Sequence, residues 1–90
     1  MNALGYRLVV AASAERALAR LPEAAAAAIV EFMVGPLATS PRRWVTLQRE
    51  LAGLWAARRG PYRVVYGIDE GTAVVGVVRI DHRADVYRSR

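Results

Sequence analysis

Apolar and polar positions divide the chain into short periodic blocks. Tyr6 to Ala11 (YRLVVA) is β-branched and predicts a first strand. Ser13 follows as a candidate N-cap, and Ala14, Ala17, Leu18 and Leu21 then fall at i, i+3, i+4 and i+7, one apolar face of a helix. Pro22 ends that helix or opens the next at its first position. Glu23 to Val34 (EAAAAAIVEFMV) has high helix propensity, with Ile29, Val30, Phe32 and Met33 supplying bulk. Gly35-Pro36 should stop or kink this second helix, with a last turn before Pro41. Arg42 to Glu50 has mixed character and supports no assignment, although Trp44 is read as a lid over the core edge.

Beyond it the period changes to that of strands. Leu51 to Arg58, Tyr62 to Ile68 and Thr72 to Ile80 predict three strands, turning at Gly60-Pro61 and at Asp69-Glu70-Gly71, where the glycine suits a positive φ. The expected order is βααβββ: an α+β fold in which an antiparallel sheet carries an N-terminal two-helix hairpin on one face. One domain spans residues 1–90, with no repeat, linker or low-complexity tract. Ala73 to Val78 is apolar at nearly every position, as in a strand buried on both faces. The helices can cover only one of them. The second face is therefore expected to be concave, or to lie under a partner, with Gly67 and Gly76 lining it.

Composition narrows the chemistry. Without cysteine there is neither a disulfide framework nor a thiolate metal site. No run approaches the ~18 apolar residues that would span a bilayer. The N-terminus reads as a strand rather than a leader, so a cytoplasmic location is expected. The net charge is +5 and every basic residue is arginine. High-GC coding alone would favour arginine, but its distribution is uneven: residues 58–90 hold seven arginines against four acids, whereas residues 1–57 hold six against four over a longer span. That excess favours an acidic partner, nucleic acid or an acidic protein segment.

With one histidine and no lysine, a histidine-rich metal site, a P-loop and most nucleophilic schemes are excluded. What remains is a set of arginines and a tyrosine: Arg58, Arg59, Arg63, Arg79, Arg83, Tyr87 and Arg88. Guanidinium groups can neutralise charge building on the non-bridging oxygens of a phosphodiester. In RNA the 2′-OH supplies its own nucleophile, so the scheme assigns no metal or cofactor. Acid/base chemistry is less well provided for, because arginine titrates at ~12.5–13.8 and tyrosine at ~10. His82 titrates nearer neutrality, yet alternation turns it to the strand face opposite Arg83, and it is read as structural. Asp81 and Asp85 flank Arg83 and are read as its neutralising partners; Tyr62 and Tyr66 are read as core.

The blocks Leu51–Asp69 (LAGLWAARRGPYRVVYGID) and Ile80–Arg88 (IDHRADVYR), with a tyrosine-bearing first strand and a helix ending in Leu-Pro, resemble the RelE/ParE superfamily of toxins, on the RelE-like mRNA interferase side. The resemblance covers nearly the whole chain. It implies a small toxin, shaped like a microbial ribonuclease, that cuts mRNA on the ribosome by 2′-OH attack and leaves a 2′,3′-cyclic phosphate. It implies that Arg63 stabilises the transition-state phosphate, that Arg83 serves the leaving 5′-oxygen, and that Tyr87 acts as base or stacks on a nucleobase. Arg58, Arg59, Arg79 and Arg88 would bind RNA. The implied partners are the ribosome, mRNA and a cognate antitoxin, RelB-like or Phd-like, covering the arginine-rich sheet face; no membrane is involved. Relatives often carry lysines on the second strand, and Leu51–Ala57 has none. The identity of the general base is thus left open, as are a ParE-like gyrase poison and a catalytically weak, antitoxin-binding homologue.

Overall fold

The computed structural model describes residues 5–83. The elements run β1 (Arg7–Val10), α1 (Ala12–Ala19), α2 (Glu23–Phe32), β2 (Val45–Thr46), β3 (Trp55–Arg59), β4 (Tyr62–Asp69) and β5 (Val74–His82). They build one five-stranded sheet in the order β1-β5-β4-β3-β2, with both helices on one face. The βααβββ order thus stands, extended by a two-residue edge strand from the stretch that carried no assignment. The sheet is mixed rather than wholly antiparallel, because β1 lies parallel to β5. The helix hairpin carries the chain from β1 at one edge of the sheet to β2 at the other, and the β2–β5 meander then brings β5 back beside β1. Lying between β1 and β4, β5 is an interior strand, which accounts for its unbroken apolar run.

The spacing read from the sequence is the spacing that packs. Ala14 is fully buried, and Ala17, Leu18 and Leu21 lie half-buried beside it. Ile29, Phe32, Met33 and Leu37 form the contribution of the second helix. Gly35-Pro36 does not end that helix at once. The proline, lacking an N–H, is absorbed in a π-helical turn, Met33–Leu37, which keeps Leu37 in the core. From the sheet, Ala57, Val64, Tyr66, Val75, Val77 and Ile80 complete the cluster. Trp44 seals its edge, its ring meeting Phe32 edge-on at 5.1 Å. The Tyr66 hydroxyl donates to the Pro41 carbonyl oxygen at 2.5 Å, and burial pushes its pKa up to about 12.

Three local expectations change. Ser13 is not an N-cap: it lies in the first turn of α1, and its hydroxyl donates to the Val78 carbonyl at 2.8 Å. In the β4–β5 turn the positive φ falls on Ala73 (φ 56) rather than Gly71. The turn is fastened elsewhere: Glu70 takes a hydrogen bond from the Tyr6 hydroxyl at 2.9 Å and an ion pair from Arg42. Of these contacts, the hydrogen bond to Glu70 is the main cause of the raised Tyr6 pKa. Third, part of the second sheet face is covered by Leu54, whose Cδ2 lies 3.4 Å from where a Cβ on Gly67 would stand.

Candidate active face

The face away from the helices is set by register. Arg58 pairs with Arg63 across β3–β4, and Arg63 pairs with Asp81 across β4–β5, so these three form one row. Two like charges directly opposite one another destabilise a sheet. The Arg58–Arg63 pair places two positive charges side by side on this face, of which Arg63 is paired with Asp81.

A bulge brings β5 into this row. Tyr66 pairs with Val77 but Val65 pairs with Arg79, so Val78 is an extra residue with no partner on β4. Before the bulge, Val75 and Val77 face the helices; after it, Ile80 does. Strict alternation from Val77 would have sent residues 79 and 81 to the helix side. The extra residue reverses the parity, and Arg79 and Asp81 join Arg63 on the open face. The bulge disrupts the ladder at Val78, and the Ser13 hydroxyl takes up the freed carbonyl.

Asp81 is the hub of the resulting cluster. Its Oδ2 accepts from Arg79 Nε at 2.9 Å and from Arg63 Nη2 at 3.3 Å. Arg63 Nε is buried without an acceptor among the described residues. The sequence assigned Asp81 to Arg83; the fold gives it to the two arginines of neighbouring strand positions instead. The Arg79-x-Asp81 spacing, which puts both on one strand face, was the signal that could have located it.

The remaining candidates are distributed differently. Arg83 is exposed at the end of β5, its backbone N–H donating to the Pro61 carbonyl at 2.7 Å. Arg59 lies on the helix side, its guanidinium 5.4 Å from the Phe32 ring centre, and so does not join Arg58, Arg63 and Arg79. His82 also faces that side, its ring edge-on to Tyr62 at 5.2 Å. Tyr87 and Arg88 lie outside the described residues. Next to the charged row the face becomes apolar, with Val65 in the same parity and buried, then Gly67 paired with Gly76 and covered by Leu54. No group of three or more potential metal-ligating side chains occurs among the described residues, and no described helix is long and apolar enough to cross a membrane.

Residues 8–87 match the model of a family described as the ParE toxin of type II toxin–antitoxin systems. Two curated relatives from Mycobacterium tuberculosis are similar over most of the chain. Toxin RelE is 49% identical over 84 residues, covering 92% of this chain and 87% of its own length. Toxin RelG is 46% identical over 84 residues, covering 92% and 97%. Among solved structures, the toxin–antitoxin complex RelBE2 from M. tuberculosis superposes with a TM-score of 0.84 at 44% identity, covering 88% of this chain and 99% of that one. The archaeal RelE–RelB complex from Pyrococcus horikoshii gives 0.71 at 27% identity, covering 88% and 96%.

Proposed function

This chain belongs to the ParE toxin family of type II toxin–antitoxin systems, and from its similarity to the RelE-named relatives we propose that it is a ribosome-dependent endoribonuclease that arrests translation by cutting mRNA. The observation that carries this reading is the bulge-set pairing of Arg63 and Arg79 with Asp81 on the sheet face away from the helices, with Arg58 across from Arg63 and Arg83 at the end of β5. In the cleavage step a base takes the proton of the 2′-OH, the 2′-oxygen attacks phosphorus, and the bond from phosphorus to the 5′-oxygen breaks. The products are a 2′,3′-cyclic phosphate and a 5′-OH that has gained a proton. Arg63 stabilises the charge on the non-bridging oxygens, Arg83 serves the leaving oxygen, and Tyr87 handles the proton or stacks on a base. Arg58 and Arg79 hold neighbouring phosphates. The step uses the substrate's own nucleophile and assigns no metal or cofactor.

The same reading gives the chain a RelB-type antitoxin that covers the arginine-rich face, and places its action in the cytoplasm with its substrate. The relatives named RelE and RelG and the RelB-containing complexes support it. The family description favours a second reading, a gyrase poison on the same fold. Primer extension on mRNA from an induced culture, beside a plasmid-supercoiling assay, separates them. Codon-spaced mRNA cuts with intact DNA topology are expected. DNA breaks with intact mRNA would transfer the assignment to gyrase, and neither signal would leave a homologue that only binds its antitoxin.

A further inference from the structure

We infer that Asp81 is an internal anion that occupies the place of a phosphate between Arg63 and Arg79 and so limits how tightly the open face binds single-stranded RNA. The inference rests on the reading above only for the identity of the ligand.

Three features point to it. First, guanidinium groups from two strands converge on a single carboxylate oxygen, Arg79 Nε at 2.9 Å and Arg63 Nη2 at 3.3 Å. That convergence is what a non-bridging phosphate oxygen requires, and arginine is the side chain whose fork suits it. Second, the carboxylate does not saturate its partners. The Arg63 contact is longer than the ~2.7–2.9 Å of a good charge-assisted bond. Arg63 Nε stays buried without an acceptor among the described residues, although its side chain is 32% exposed. A buried unpaired donor is costly, so Asp81 leaves the Arg63 fork incompletely satisfied while the rest of the side chain stays partly exposed. Third, among the described residues this part of the face carries three guanidiniums (Arg58, Arg63, Arg79) and one carboxylate, an excess of two positive charges. Asp81 thus keeps the arginines oriented while the face waits, and must then share them with, and repel, the arriving diester.

A plain neutralising role for Asp81 makes a different prediction, because removing it would then only loosen the arginines. The test uses the full-length chain and a 2′-O-methyl oligoribonucleotide, which binds but offers no nucleophile. Its affinity is measured against salt concentration for the wild type, Asp81→Asn and Asp81→Ser, each checked for native circular dichroism. Both variants should bind about tenfold tighter, since a like charge near the phosphate has been removed. The plot of log affinity against log salt should steepen by about 0.7 for each guanidinium freed. In an Arg79→Gln background the gain from Asp81→Asn should shrink, because one of the converging forks is gone. Unchanged or weaker RNA binding by both variants overturns the inference. Tightening confined to a polyglutamate peptide used as a second probe overturns it too, and assigns the site to an acidic protein segment. Because the probe cannot be cut, a wild type that fails to cleave mRNA would remove the proposed function without altering this readout.

Discussion

At the scale of single residues, Tyr66 and the arginine row carry opposite kinds of information. Tyr66 is fully buried and spends its hydroxyl on the Pro41 carbonyl, joining the central strand to the loop that follows the helices. Tyr66→Phe leaves that carbonyl unpaired and should cost about 1 kcal/mol in urea denaturation. Its folded pKa of about 12 lies above the ordinary 10, so the neutral form is favoured by folding. The stabilisation is complete below pH ~10 and is lost as pH rises toward ~12. Tyr66→Phe should therefore flatten the alkaline fall in stability, which a denaturation series from pH 8 to 12 measures. The arginines should behave the other way, with little effect on folding and a large one on activity. Arg63→Ala and Arg83→Ala should each remove a charge-assisted contact of roughly 1.5–3 kcal/mol, about ten- to a hundred-fold in cleavage rate. If Tyr87 transfers the proton, Tyr87→Phe should cost on the order of 10²–10⁴-fold; if it only stacks, Phe keeps the ring and the loss stays under about ten-fold. Single-turnover cleavage on programmed ribosomes by the folded variants decides. Near-wild-type rates for both Arg83→Ala and Tyr87→Phe would move the site elsewhere.

At the scale of elements, the β5 bulge does what no individual residue can. It lets one strand bury Val75, Val77 and Ile80 against the helices and still present Arg79 and Asp81 outward. Ser13 is the side chain that fastens it, through an exposed bond to the extra residue's carbonyl. Ser13→Ala should cost only about 0.5–1 kcal/mol of stability. It should nonetheless speed hydrogen exchange at the amides next to Val78 more than elsewhere in β5, and Ser13→Thr should restore protection. Uniform exchange along β5 would mean that burial of Ile80, rather than Ser13, holds the register. At the other hairpin, Gly60 sits at φ +60 as the first residue of the two-residue turn before Pro61, where a II′ geometry calls for glycine.

At the scale of the whole molecule, a chain of net charge +5 presents Arg58, Arg63 and Arg79 on a sheet face that it covers only in part. Val9, Val45 and Val78 remain exposed around it. A partner that lies across this face would bury both the charge and the valines. With an antitoxin at a hundred times its Kd, linkage adds about 2.7 kcal/mol, which for a domain this small raises the melting temperature by roughly 10 °C or more. Calorimetry of the free chain against the complex measures it. An equal melting temperature would rule out a stabilising partner on the folded state. Expression of the chain without the antitoxin should arrest growth, and Arg63→Ala should relieve the arrest.

The linear sequence determined the elements and the side chains available for chemistry. Helical spacing at Ala14, Ala17, Leu18 and Leu21, alternation at Tyr62, Val64 and Tyr66, and the Gly60-Pro61 turn are local signals, and each reappears in the packed core or its hairpins. The absence of lysine and cysteine likewise restricted the candidate chemistry before any geometry was known. Tertiary structure decided the rest. Placement of β1 beside β5 depends on pairing over more than sixty residues of sequence separation, which no local pattern encodes. Val78 as a bulge is equally hidden, because in an all-apolar run either parity satisfies the composition. Only the simultaneous burial of Val77 and Ile80 against the helices forces the extra residue. With that residue in place, Asp81 leaves the neighbourhood assigned by sequence and meets Arg63 and Arg79, because strand parity, set by packing on one face, dictates what the opposite face displays.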